Sequence, residues 1–405
     1  MITERFDVVV VGAGAAGIMA AAHAATSPGI PRTLLLTDGP LGRANTVMAQ
    51  GGIQVPFPSA ESRQAMLDDM TRSARVPVDL VRVTRFIDAI SGTVAQLEEW
   101  GLALDRDQGG ALVRRRAGGL SEPRIVSTGG GLGPQLMAAL RRGLEGSGAE
   151  LRTGARVVGL TPGAEGIAVD FVSGDGAGRV IGNAVVVTTG GRSHAVAVGR
   201  GERSTNPANG NAAMAELVRD LGVEEVPGDY FQYQPFGVVD APGPFARCVP
   251  ESVVTFEPRL LDRHGGDVGG VGEDRLDLTA RMFAVADTGN AVDTAGGPGV
   301  WLALDRPGAE ALLAAFPKLA RTLQRHRLLD RLLGEGRVLV WPYLHYQTGG
   351  FVTDPDGASP IPGLYLAGEM VGGLHGRNRL MGNGITDSLV HGRIVGQTAA
   401  GGCHR

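Results

Sequence analysis

The chain has 405 residues, of which 43% are hydrophobic and 20% charged, and its net charge is −4. That is the make-up of a globular protein with room for two or three domains, and the slightly acidic balance excludes a general nucleic-acid binder. Only two cysteines occur, Cys248 and Cys403, without metal-ligand spacing, so neither a disulfide framework nor a metal site is expected.

The chain opens with Glu4 and Arg5 and then a strand-like run, not a signal peptide. No apolar run approaches the roughly 18–20 residues that span a bilayer. A cytoplasmic protein without a membrane partner is the expectation.

The apolar stretch 6–11 predicts a buried parallel strand. GAGAAG at 12–17 and the alanine-rich stretch 18–25 follow, and a second strand is expected at 33–36. This strand–turn–helix–strand context turns the glycine pattern into a dinucleotide-binding signature. Gly12 makes the tight turn, Gly14 lets the backbone approach a pyrophosphate, and Gly17 allows close helix–strand packing. The helix N-terminus offers its free N–H groups to the phosphates. At the end of the second strand, where an acidic ribose-binding residue is expected, stands Thr37, with Asp38 next.

Residues 41–55 are too glycine-bearing and polar for a helix. Helical spacing appears at 62–72, 81–100 and 134–145, and strands are expected at 157–160, 167–172 and 184–188. A helix is expected over 206–221 after a loop of Thr, Asn and Pro. Between residues 236 and 344 the character changes to Pro and Gly punctuation, short strands and then helices at 308–333. The stretch 363–395 combines a strand ending near Glu369, a glycine-rich loop with His375, Arg377 and Arg379, and a closing helix.

Taken together, the motifs resemble the flavoprotein family of succinate dehydrogenase, fumarate reductase and L-aspartate oxidase. They are GAGAAG (12–17), ANTVMAQGG (44–52), GGLSEPR (118–124), VVTTGG (186–191), STNPANGNAAM (204–214), FQYQPF (231–236), LHYQTGGF (344–351), GLYLAGE (363–369) and HGRNRLMGNGITD (375–387). The resemblance covers nearly the whole chain, most weakly between 236 and 345. It implies an α/β protein: a Rossmann-like FAD-binding domain from residues 1–235 and 346–405, with an inserted α+β capping domain at 236–345.

The resemblance also implies FAD. Gly12, Gly14, Ala15, Ala16 and Gly17 would cradle its pyrophosphate, and Thr37 and Asp38 would stand near the ribose. Asn45, Thr46, Gln50, Gly51 and Gly52 would run along the flavin, and Glu369 would hold ribose or ribityl hydroxyls. Asn383, Gly384 and Ile385 would face the pyrimidine end of the ring; Val157, Thr189 and Gly190 complete the set. Relatives that attach FAD covalently do so through a histidine at the position of Asn45, so noncovalent FAD is expected here.

On the substrate side, His345 and Arg379 match the family's binders of a substrate carboxylate, which a guanidinium grips in a bidentate fork. Other positions depart from the pattern. Gln234 replaces the histidine of Gln-Phe-His-Pro-Thr, and Phe236 its threonine. In the segment that relatives write Thr-Glu-x-x-Arg-Gly-Glu-Gly, whose arginine is read as the proton donor or acceptor, Val254 stands at the arginine's place after Glu251. The segment Gly118-Gly-Leu-Ser121 likewise lacks the usual histidine, although Arg124 remains. Arg281 is the first candidate to replace the missing arginine, with Arg247 and Tyr343 behind it.

The expected catalytic set is therefore His345, Arg379, Gln234 and Arg281. The expected activity is FAD-dependent hydride transfer, as oxidase or dehydrogenase, on a small carboxylate less charged than succinate or aspartate, with oxygen or another electron acceptor. Two alternatives stand beside it: a fumarate-reductase-like alkene reductase and a catalytically degenerate flavin-binding protein. The absence of a long C-terminal helical region after the last helix speaks against a subunit of a membrane complex.

Overall fold

The computed structural model describes residues 4–29, 31–42, 44–129, 131–208, 211–241 and 247–402; Cys403 lies outside them. Its principal sheet orders the strands Glu150–Arg152, Thr33–Leu36, Glu4–Val11, Gly176–Val187, Gly166–Ser173 and Arg156–Gly163, with Leu364–Leu366 also paired to Gly176–Val187. The members around Glu4–Val11 run parallel, and the last two form an antiparallel extension. Alternation along the first strand builds two cores at once. Val8 and Val10 pack on one face with helix Ala15–Ala25, while Val9 and Val11 pack on the other.

The register places a set of chain reversals along one edge. Val11 pairs with Leu36 and with Val187, and Val187 pairs with Leu366. The residues that follow, Gly12, Thr37, Thr188 and the segment leading to Glu369, therefore emerge side by side at the carboxyl ends of parallel strands, where open α/β sheets bind ligands. The closing helix Asn383–Gly402 lies against Ala15–Ala25 through Gly392 and Gly396, so both ends of the chain meet beside this edge.

A second, antiparallel sheet runs Arg259–Leu261, Gly297–Ala303, Arg337–Gln347, Phe231–Val238, with Val292–Thr294 on Gly297–Ala303. Its hydrophobic cluster draws on residues between Phe236 and Val340, with helices Arg275–Asp287, Arg306–Ala315, Pro317–Arg325 and Leu329–Glu335 around it. Pro317 begins the second of the three consecutive helices, a position where its missing N–H costs nothing. No helix among the described residues is long and apolar enough to cross a membrane.

Most element boundaries hold; the strand expected at 184–188 is Gly176–Val187, eight residues longer at its start, and two further exceptions are instructive. The helix expected from 206 begins at Asn211. Pro207 disfavours helical geometry at Asn206, whose Nδ2 instead donates to the carbonyl of His345 at 3.0 Å. The irregular stretch 41–55 contains a short turn of helix, Asn45–Met48, and a two-residue strand, Ile53–Gln54, paired with Ile125–Val126.

Candidate active site

The first half of the site is the glycine turn. Gly12 has a positive φ of +107°, and a Cβ on Gly17 would fall 1.7 Å from the carbonyl oxygen of Gly12. Both are demanded by the protein's own packing. Gly14 is not: the nearest atom to a Cβ there is Thr46 Oγ1, at 3.7 Å. Its bareness keeps open space at the start of helix Ala15–Ala25, whose N-cap supplies no side-chain hydrogen bond. The Thr46 hydroxyl accepts the N–H of Ala15 at 3.1 Å, tying the 44–52 segment to that helix end. Thr37 is half-buried at the end of its strand, and Asp38 is exposed beside it. Gln50 and Gly51 are exposed, Gly52 is buried, and Val157 lies half-buried in the antiparallel extension. The Thr189 hydroxyl, next to Gly190, meets Met370 Sδ at 3.3 Å.

The second half comes from the C-terminal segment. Glu369 Oε1 accepts the N–H of Gln347 at 2.9 Å. Burial pushes its carboxyl up to about 7, against the opposing hydrogen bonds from the main chain of Gln347 and Gly191. Asn383 begins the closing helix, with Gly384 and Ile385 half-buried after it. Both amide atoms of Asn383 and Oδ1 of Asn45 are buried without a protein partner. Buried polar groups are paired in native proteins, so these atoms mark where a polar ligand completes the structure. The bare Gly14, the open helix end and these three orphaned atoms fit FAD across both ends of the chain.

On the closing helix, Asp387 meets His375 Nε2 at 3.2 Å and His391 Nδ1 at 2.5 Å. Burial alone would raise this carboxyl; the two histidines outweigh it and hold Asp387 well below the usual range. His375 is thus a structural partner of Asp387. Arg377 is exposed, away from this core.

The residues expected on the substrate side, His345 and Arg379, lie between the closing helix and the second sheet. Arg379 is 5% exposed. Its Nε has no partner, one terminal nitrogen reaches the carbonyl of Leu380 at 3.2 Å, and the guanidinium lies 4.4 Å over the ring of Tyr346. Burial, with Arg275 nearby, lowers it to about 10, which leaves it cationic at neutral pH. Nδ1 of His345 lies 2.7 Å from the Thr205 hydroxyl. Burial, then the nearby charges of Arg275 and Arg379, push this imidazole well below its ordinary value, so it is neutral.

Arg275 is the residue that sequence reasoning missed. It is 8% exposed, at the first position of helix Arg275–Asp287, which Asp274 caps. Its Nε donates to Glu251 Oε2 at 2.7 Å, and NH1 donates to Gln232 Oε1 at 3.0 Å. Gln232 in turn donates to Asn378 Oδ1 and to the carbonyl of Arg379, at 2.7 and 2.9 Å. One glutamine thereby couples the two arginines.

Two expected residues are placed elsewhere. Arg281, six positions further along the same helix, points to solvent and pairs with Glu273 at 2.8 Å. It does not join His345 and Arg379. Gln234 is buried, but Nε2 donates to the carbonyl of Val249 at 3.2 Å and Oε1 accepts the N–H of Phe236 at 2.7 Å. Its amide braces the main chain. Of the reserve candidates, Tyr343 pairs with Arg203 at 2.6 Å, burial raising its hydroxyl to about 12, and the half-buried Arg247 gives its carbonyl to Val238 at 2.7 Å. Val254 sits in the 3₁₀ turn Glu251–Phe256 and packs on the second core. Arg124 is fully buried and paired with Asp69.

Comparison with known proteins agrees with this geometry. The FAD binding domain model matches residues 7–385. L-aspartate oxidase of Mycobacterium bovis is 31% identical, over 98% of this chain and 74% of that protein. A fumarate reductase flavoprotein subunit of Mycobacterium tuberculosis is 28% identical, over 98% of this chain and 70% of its own length. An E. coli quinol fumarate reductase flavoprotein superposes with a TM-score of 0.89 at 24% identity, covering 100% of this chain and 71% of that one, a likeness of fold. The chain belongs to the FAD binding domain family, among the flavoprotein oxidoreductases related to L-aspartate oxidase and fumarate reductase. Its cofactor is FAD.

Proposed function

We propose that this oxidoreductase dehydrogenates a small carboxylate-bearing molecule as an oxidase or dehydrogenase, with residues 236–345 serving as a domain that caps the cleft. Bound FAD supplies the centre that accepts the substrate's hydride. It is held noncovalently, since Asn45 offers no nucleophile for attachment; acid precipitation then leaves the yellow colour in the supernatant, and a yellow pellet contradicts it.

The observation that carries this reading is the buried, unpaired Arg379 beside His345 and the Arg275–Glu251 pair. Arg379 would grip the carboxylate in a fork. His345, neutral and oriented by Thr205, would hydrogen-bond the same end. Arg275 takes the role expected of Arg281. It would first give a proton to Glu251 along the hydrogen bond already present, and the neutral guanidine so formed would take up the substrate's proton and return to the cation. The arginine begins and ends cationic, and the carboxyl is the group whose charge changes overall. The same relay run backwards would protonate an alkene, so proton handling alone does not set the direction.

The test is anaerobic mixing of FAD-loaded protein with a panel of saturated carboxylic and amino acids. Bleaching of the oxidised flavin by one of them supports the reading. If none bleaches it while alkenoic acids recolour the dithionite-reduced protein, the alkene-reductase alternative holds. Fast recolouring by oxygen distinguishes an oxidase from an enzyme using another acceptor.

A further inference from the structure

The charges around the cleft can be counted. Arg275 is balanced by Glu251, which accepts two of its hydrogen bonds. His345 is neutral, with Nδ1 engaged by Thr205. Arg203 is half-buried and spends its guanidinium on the carbonyls of Val239 and Ala241 and the hydroxyl of Tyr343. Arg379 alone in this group is nine-tenths buried with no carboxylate bonded to it: among the described residues it forms no ion pair, feels Glu251 and Glu369 only through space, and keeps an unpartnered Nε. A buried cation with no carboxylate bonded to it is costly, and a ligand carboxylate reduces that cost by filling the fork.

The neighbouring strand itself carries no cation for a second anion, and Arg247, half-buried beside Val238, is already engaged. Gln232, Gln234 and Phe236 alternate onto one face of Phe231–Val238. Gln232 is committed to Arg275 and the Asn378–Arg379 loop, Gln234 to the main chain, and Phe236 is fully buried in the second core. A second carboxylate placed there would be desolvated without a cation.

We infer that the cleft is built for a substrate with a single carboxylate and an uncharged far end, because Arg379 is the one buried arginine of this group that is in no ion pair and keeps an unpartnered nitrogen. The inference rests on the carboxylate reading given above and narrows it from carboxylates to monocarboxylates.

The test is titration of the FAD-loaded protein with four-carbon acids of matched shape, butanoate and 2-butenoate against succinate and fumarate, read by the flavin difference spectrum. The monoacids are expected to bind at least tenfold more tightly. The variant Gln234→Lys is expected to narrow or reverse that ratio by supplying a second cation; should it fail to hold FAD, the wild-type ratio decides alone. Diacids binding as tightly as monoacids, or more so, overturn the inference while leaving the carboxylate reading intact. If no acid of either kind perturbs the flavin, the carboxylate reading falls, and this inference with it.

Discussion

The guanidinium of Arg379 lies 4.4 Å over the ring of Tyr346, so the ring face stands where a carboxylate partner is usually found. A cation over an aromatic face gains about 0.5–2 kcal/mol, enough to orient a buried arginine without neutralising it. Tyr346→Leu is expected to weaken carboxylate binding by roughly two- to thirtyfold, the range that this energy implies. Tyr346→Phe, which keeps the ring, is expected to bind nearly as the wild type does. Equal affinity in the Leu variant, measured by flavin titration, would deny the ring this role.

Arg275 and Arg281 share a helix but divide sharply in environment, the first buried on Glu251 and the second exposed on Glu273. Arg275→Gln is expected to lower turnover by about 10²–10⁴-fold, the usual contribution of a positioned proton donor or acceptor. Arg281→Gln is expected to stay within about twofold, since exposed ion pairs contribute little. Steady-state turnover with the substrate found by anaerobic screening decides; a comparable loss in both variants would return the role to Arg281.

The glycine turn separates packing from ligand approach. A Cβ at Gly17 would sit 1.7 Å from a carbonyl oxygen, whereas one at Gly14 would meet only ordinary contacts. Gly17→Ala is expected to give little folded protein. Gly14→Ala is expected to fold with wild-type thermal stability as apoprotein and to bind FAD at least tenfold more weakly. Wild-type FAD affinity in Gly14→Ala would place the pyrophosphate elsewhere.

His23 gives a pH dependence outside the active site. It lies buried on helix Ala15–Ala25 beside Trp100, with Nε2 unpartnered, and burial lowers its pKa to about 4. The unfolded chain binds this proton near pH 6.5, so stability is complete above that value and falls as the pH drops toward 4. The loss approaches about 3 kcal/mol at the lower limit. His23→Leu is expected to flatten the acid side of the apoprotein's denaturation profile by roughly that amount. An unchanged slope between pH 6.5 and 4 would contradict the assignment.

Much of the cofactor side was legible because its chemistry is local. A strand, a glycine turn and a helix contiguous in sequence announce a phosphate site, and the glycine-rich loop after Glu369 announces its other half. The pair proposed to handle the proton was not legible, because its parts meet only through tertiary packing. Arg275 follows a capping Asp274 and looks like the first residue of a surface helix; only the fold brings it to Glu251, 24 residues earlier. Helical periodicity distinguishes Arg275 from Arg281 once the buried face is known, but the alternation of apolar residues in that helix is weak. Gln234 reads in sequence as a substituted catalytic position, and its amide turns out to be consumed by Val249 and Phe236. A side chain's hydrogen-bond partners across a strand are invisible in a linear reading.

The central claim is that an unpaired buried arginine anchors a substrate carboxylate in the FAD cleft. The most direct measurement is carboxylate titration of FAD-loaded wild type and Arg379→Met, followed by the flavin difference spectrum at fixed pH. A saturable spectral change in the wild type that is lost, or weakened at least a hundredfold, in Arg379→Met is the predicted result. An undiminished response in a variant that still binds FAD would contradict it.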